Sequence, residues 1–189
     1  MKWSDVGIVL SAKKYGERST IVNLITAEHG RFAGLVRGGA GRRARGLFET
    51  GNFVTADWQA RLEDHLGTYS CELLKSNAAL VLDNPLLLAG LISACAVTER
   101  ALPERDPQPQ HYLNLSSLIT AIHGERWIQR YVLWELTLLS ELGFGLDLSA
   151  CAATGSRDDL IYVSPKSGQA VSAEAGAPYQ KKLLPLKVG

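Results

Sequence analysis

Five short runs of apolar and β-branched residues crowd into the first 75 positions, and glycine-bearing turns separate them. Val6, Ile8 and Leu10 sit two apart before the turn Tyr15-Gly16-Glu17. The dense run Thr20 to Thr26 ends at Glu28-His29-Gly30, and Phe32 to Val36 opens into an arginine-rich stretch. Asn52 to Trp58 and Thr68 to Leu74 complete the set, with Gly67 between them. Strands this short, this regularly spaced and punctuated by glycine predict a small closed barrel, because closure is how few strands avoid bare edges. A five-stranded OB-fold is the first choice and an SH3-like barrel the alternative.

The pattern changes near residue 78. Asp83-Asn84-Pro85 sets a capping side chain before a proline at the first helical position, the signature of a helix start. The spacing predicts a helix to about Leu102, a second over His111 to His123 and a third over Glu125 to Leu142. Asp159–Ser164 and Gln169–Ser172 then read as a hairpin about Pro165-Lys166-Ser167-Gly168, and Leu183 onward reads as the start of another helix. The expected class is α+β: a barrel domain over 1–77 and a mainly helical domain with a small hairpin over 78–189.

Charge is uneven. The whole chain carries +1, yet residues 1–75 hold eleven Lys/Arg against eight Asp/Glu, and no acidic residue falls between Glu28 and Glu49. Arg31, Arg37, Arg42, Arg43 and Arg45 lie in that window with Gly38, Gly39, Gly41 and Gly46. Guanidinium groups are permanently charged, planar donors suited to phosphate oxygens. The expectation is a flexible cationic loop, between the third and fourth strands, that grips a polyanion without reading its sequence. Lys13, Lys14, Arg18 and Arg31 would extend the track, and Trp58, beside Gln59 and Arg61 at a strand end, is the candidate stacking ring. Phe32 and Phe53 fit a core better. The plain alternative is a solvated surface loop.

The third helix carries a second candidate. At 100° per residue, Trp127, Tyr131, Trp134 and Leu138 form one stripe and Ile128, Val132, Leu136 and Leu139 another. Arg130 flanks the aromatic stripe and could receive a peptide ending in a hydrophobic residue and a free carboxylate. Its alternative is a rim arginine stacked on tryptophan. Glu135 lies between the stripes, and burying it unpaired would cost several kcal/mol, so it is expected to find a partner.

Other chemistry lacks its residues. The glycine cluster has no following Lys-Ser/Thr pair, so it is not a nucleotide P-loop. Cys71, Cys95 and Cys151 are odd in number and widely spaced, which fits a reducing compartment rather than a disulfide framework. One thiol at Cys151 cannot build a tetrahedral zinc site, and His29, His65, His111 and His123 are scattered. No nucleophile–base pair can be assigned. The apolar run Val6 to Leu10 is too short for a signal peptide, and Pro85 to Val97 too short to span a bilayer. No enzyme, no cofactor, no membrane contact and a cytoplasmic, nucleoid-associated protein are expected.

The segment GIVLSAKKYGERSTIVNLITAEHGRFAGLVRGG resembles the opening of the RecO family of bacterial recombination mediators: an apolar first strand, a Y-G-E turn, a strand ending in T-x-E-H-G and a basic exit. ELTLLSELGFG at 135–145, with Leu148 and Cys151, resembles its late helical signature. The resemblance implies an N-terminal OB-fold followed by a helical domain. It also implies binding of single- and double-stranded DNA, strand annealing in DNA repair and recombination, and contacts with RecR and with the C-terminal tail of single-stranded-DNA-binding protein (SSB) in support of RecA loading. Some members carry a four-cysteine zinc module; only Cys151 matches it, so zinc is expected to be absent. Members usually run on past this point, which implies a shortened C-terminus. A module that binds an acidic C-terminal peptide, with little DNA affinity, is the alternative function; a barrel-based hydrolase ranks last.

Overall fold

The computed structural model describes residues 1–62 and 65–186, without the side chains of Arg42 and Arg43. Its first element, β1 (Lys2–Tyr15), has 14 residues and extends well beyond the apolar alternation from Val6 to Leu10 on both sides. It pairs through Lys2–Ile8 with β4 (Phe53–Gln59) and through Gly7–Tyr15 with β2 (Ser19–Thr26). A register shift between Val9 and Ser11 lets one strand serve both partners, since an irregularity of this kind bends a strand and increases its twist. β2 continues into β3 (Gly30–Val36), and β5 (Thr68–Lys75) pairs along β4 and meets β3 in parallel at Leu35 and Thr68. The order β1-β2-β3-β5-β4 closes on itself as a barrel. The OB-fold expectation is met.

Inward residues fill that barrel: Val9, Val22, Leu24, Phe32, Val54, Ala56, Trp58 and Tyr69, with Phe48 from the β3–β4 connection. Trp3 stacks on Trp58 at 5.8 Å between ring centroids and meets Phe32 edge-on at 5.3 Å. The connection itself is a helix, α1 (Arg42–Leu47), where glycine content had led us to expect a flexible loop. The reason is packing: Ala44 and Leu47 press on the barrel core and Phe48 is buried in it.

A short helix, α2 (Asn77–Val81), absent from the sequence expectation, follows the barrel directly. α3 (Pro85–Ala101) starts as expected, with the Asn84 carboxamide oxygen accepting from the Leu87 N–H at 3.2 Å. It lies against β1 and buries Leu91, Ala94, Cys95 and Thr98. Glu99 fixes its far end, accepting from Ser11 Oγ at 2.8 Å and Asn23 Nδ2 at 3.0 Å. α4 (Pro109–Thr120) and the start of α5 (Trp127–Leu139) belong to the same packed unit, which extends to Tyr131. The composition break near residue 78 therefore marks where strands give way to helices, while packing continues across it.

Between α3 and α4 the chain runs beside the free edge of β3. Arg105 N–H donates to the Arg31 carbonyl at 2.8 Å, and Glu104 bridges Arg31 in parallel. Gly30 makes this approach possible: it sits at φ +68°, and a Cβ there would lie 1.9 Å from the Asp106 carbonyl oxygen.

The second unit begins at Val132. A π-helical turn (Ser140–Phe144) ends α5 at Gly143, which has φ +85°. The expected hairpin forms as β6 (Leu160–Val163) and β7 (Ala170–Ser172). The segment expected to begin a helix instead supplies a third strand, β8 (Leu184–Pro185), beside β6. Pro185 explains this, because a proline disfavours helical geometry in the residue before it. Residues 187–189 lie outside the described residues.

Candidate nucleic-acid interface

The cationic residues collect where the β1–β2 turn meets the exit of β3. Lys14 is opposite Thr20, and Thr20 is opposite Val36, so Lys14 and the β3 exit at Arg37 lie on either side of the start of β2. The Ala40 N–H donates to the Arg18 carbonyl at 3.3 Å and ties the turn to the glycine-rich exit. α1 follows with no acidic residue in its first turn and Arg45 in its last. Lys14, Glu17, Thr20, Gly39, Ala40 and Arg45 line one cavity of about 410 Å³.

Asn52 holds α1 in place. Fully buried, it donates through Nδ2 to the carbonyls of Gly46 at 3.0 Å and Leu47 at 3.2 Å, and its Oδ1 accepts from the Ala78 N–H at 3.1 Å. Carbonyls at a helix C-terminus have no partner within the helix, and a buried amide is one way to satisfy them. The sequence reading missed Asn52; its only signal was a polar residue directly before an apolar strand.

The expected DNA-binding residues divide. Lys14, Arg18, Arg37 and Arg45 are exposed and make no ion pair among the described residues. The side chains of Arg42 and Arg43 lie outside the described residues. Lys13 is 74% exposed and stands 3.8 Å from Glu99, close enough for a weak pair that leaves it open to solvent.

Arg31 and Trp58 are corrected. Arg31 donates through Nε to the Leu102 carbonyl at 2.9 Å and meets Glu104 at 3.1 Å, with only 15% of its side chain exposed. It anchors the α3–α4 segment rather than extending a phosphate track. Trp58 is 1% exposed in the barrel core, and its Nε1 donates to the Leu66 carbonyl at 3.2 Å. Its place at a strand end suggested exposure, but its parity along β4 matches Val54 and Ala56, which point inward. It cannot stack on a base.

Arg130 is exposed, as a peptide-binding role requires, but Trp127 is a core residue. Its Nε1 donates to the Leu118 carbonyl at 3.0 Å and its ring covers Gly90. Trp134 and Leu138, on the other side of the packing division, are also buried, so this stripe is spent on packing. The exposed stripe is the other one, Ile128, Val132, Leu136 and Leu139.

Two clusters of titratable groups lie elsewhere. Asp5, Glu28 and His29 place ligand atoms within 4.8 Å of one another, a grouping that histidine spacing did not reveal because β1 supplies one member. Asp5 is already engaged, however, accepting from the Val6 N–H and standing 3.3 Å from His29 Nδ1, while His29 stacks on Trp3 at 4.2 Å. In the second unit Cys151 is surrounded by hydroxyl residues rather than cysteines. Hydrogen bonds from the side chains of Ser172 and Thr154, and from the Ser172 N–H at 3.2 Å, bring its thiol down to about 6. Among the described residues, no helix is long and apolar enough to cross a membrane.

Comparison with known proteins agrees with this architecture. Residues 1–77 match the family model for the recombination protein O N terminal, and residues 82–187 match that for its C terminal. The chain is 50% identical over 188 residues to the DNA repair protein RecO of Rhodospirillum centenum, covering 98% of this chain and 75% of that protein. It is 49% identical over 187 residues to the RecO of a Ruegeria species, covering 98% and 78%. Against the RecO of Brucella abortus it is 48% identical over 187 residues, covering 98% and 75%. Barrel order, the helical half and these matches along nearly the whole chain place it in the RecO family.

Proposed function

We propose that this protein binds DNA and anneals complementary strands as a recombination mediator in DNA repair. The observation that carries the reading is the cavity shared by Lys14 and Arg45. Two cations from separate elements line it beside a single carboxylate, Glu17; Arg18 and Arg37 are exposed nearby, and none of the four cations makes an ion pair among the described residues. Annealing requires no covalent step. Cationic groups screen the repulsion between two phosphate backbones, and base pairing supplies the driving force.

The family membership supports the finer assignments: action with RecR, contact with the acidic tail of SSB, and support of RecA loading. Exposed Arg130 is the group that would meet the tail's carboxylate. Changing Arg42, Arg43 and Arg45 together to alanine tests the central claim. Each phosphate contact contributes about 0.7 to the slope of log K against log salt for single strands, so the triple change should lower the slope by about 2. An unchanged slope, measured by fluorescence anisotropy with labelled single-stranded DNA, overturns the assignment.

A further inference from the structure

Two pairs of positions in the second unit keep the spacing of a zinc ribbon without its ligands. Two C-x-x-C pairs about 15–20 residues apart are the sequence mark of a tetrahedral zinc site. Positions 151 and 154, then 172 and 175, with 17 residues between the inner two, have that spacing, and they hold Cys, Thr, Ser and Ala. Residues 151, 154 and 172 also meet in space. The Ala152 N–H donates to the Ala170 carbonyl at 2.8 Å and docks the 151–156 turn against β7. The four-cysteine module that the family resemblance implies for some members does not fit this set. Thr, Ser and Ala supply no thiolate, and among the described residues no group of three His, Cys, Asp or Glu side chains includes Cys151.

Hydrogen bonds hold the sulfur. Cys151 is 3% exposed, and its Sγ accepts from the Ser172 N–H at 3.2 Å and from the hydroxyls of Thr154 and Ser172. Each hydroxyl is itself tied to the backbone. Thr154 Oγ1 accepts from the Ser156 N–H at 3.3 Å, and Ser172 Oγ accepts from the Ala175 N–H at 3.5 Å. A hydroxyl can accept and donate at once, whereas an ionised sulfur can only accept. Four thiolates brought together therefore need a cation between them, and one sulfur with two hydroxyls does not. The 151–156 turn and the start of α6 (Ala173–Gly176) are joined through Cys151 by protons alone.

We propose that this part of the second unit is a metal-independent counterpart of a four-cysteine zinc ribbon. The hydroxyls of Thr154 and Ser172 take over from a cation as the tie between the 151–156 turn and α6, and the backbone retains the ligand spacing. The chain as it stands does not need zinc, and three added cysteines restore a site for it.

Both statements are tested on the full chain. The unaltered protein should retain no zinc when purified in its presence, and a chelator should leave its thermal midpoint unchanged. A T154C/S172C/A175C variant should take up one Zn²⁺ per chain and melt lower after chelation. Loaded with Co²⁺, it should show the thiolate-to-cobalt charge transfer of a tetrahedral four-sulfur site. Stoichiometric zinc in the unaltered chain overturns the proposal. So does a variant that folds by circular dichroism yet gives Co²⁺ no such spectrum. Should the triple variant not fold, T154V decides. Losing one hydroxyl tie should lower the metal-free midpoint by about 2–4 °C, and an unchanged midpoint overturns the proposal.

Discussion

The guanidinium of Arg31 stands 3.1 Å from Oε1 of Glu104, and the same side chain donates through Nε to the Leu102 carbonyl at 2.9 Å. A barrel cation is thereby committed to the segment between α3 and α4. Replacing Arg31 with alanine removes a mostly buried charged hydrogen bond, at a cost of about 1.5–3 kcal/mol. The urea midpoint should fall, and the salt slope of DNA binding should stay at its original value. A reduced slope would return Arg31 to the phosphate track.

Trp58 is expected to behave as a core residue. Trp58→Phe leaves the Leu66 carbonyl without its indole donor and part of the barrel interior unfilled. Thermal unfolding should register a loss of about 1–3 kcal/mol. Affinity for single-stranded DNA, measured well below the new midpoint, should not change, because the ring offers no face to a base.

Asn52 is expected to act on DNA binding only through the hold it has on the C-terminal end of α1. Asn52→Ala leaves the carbonyls of Gly46 and Leu47 and the N–H of Ala78 without their partners, at a cost of at least about 2 kcal/mol. With its C-terminal end released, α1 should show faster amide hydrogen exchange than the strands on either side. Protection in α1 equal to that of the unaltered protein would refute the positioning role.

Gly30 admits no side chain. In Gly30→Ala the added methyl would meet the Asp106 carbonyl at a positive φ, so the α3–α4 segment must shift. The expected loss exceeds about 2 kcal/mol. A protease should cut between residues 102 and 108 faster than in the unaltered protein.

Cys95 sets an alkaline limit. Burial, and secondarily the Glu99 charge, pushes its thiol up to about 12. The unfolded thiol ionises near 8.5 and the folded one does not. The contribution is therefore fully present below about pH 8.5 and is lost as pH rises toward 12. Within that window Cys95 should contribute a decline of up to about 1.4 kcal/mol per pH unit. Denaturant titrations from pH 8 to 10.5 should show a steeper decline in the unaltered protein than in Cys95→Ala, which loses stability at every pH but lacks this dependence.

The five strands and three longer helices were legible because their signals are local. Alternation in β2 and β3, and the Asn84-Pro85 cap of α3, depend on residues a few positions apart. What could not be read depended on distant partners. Arg31 and Arg37 look alike in sequence, yet Glu104, 73 residues away, takes only the first. Glycine content argued for mobility at 38–46, whereas the helix there is secured by Asn52 and Phe48, which lie beyond it. Aromatic stripes on α5 were read correctly as stripes; periodicity does not say which one faces inward.

The backbone pairing of Arg105 and Glu104 alongside Arg31 has a consequence for anyone dissecting this molecule. A fragment cut at residue 77 would keep all five strands but lose the stretch lying against β3, baring the peptide groups around Arg31. A strand edge uncovered in this way is a template for other chains. Released from its helical companion, the barrel would offer that edge to a second molecule, so the strand is shielded from its own kind by residues more than seventy positions downstream.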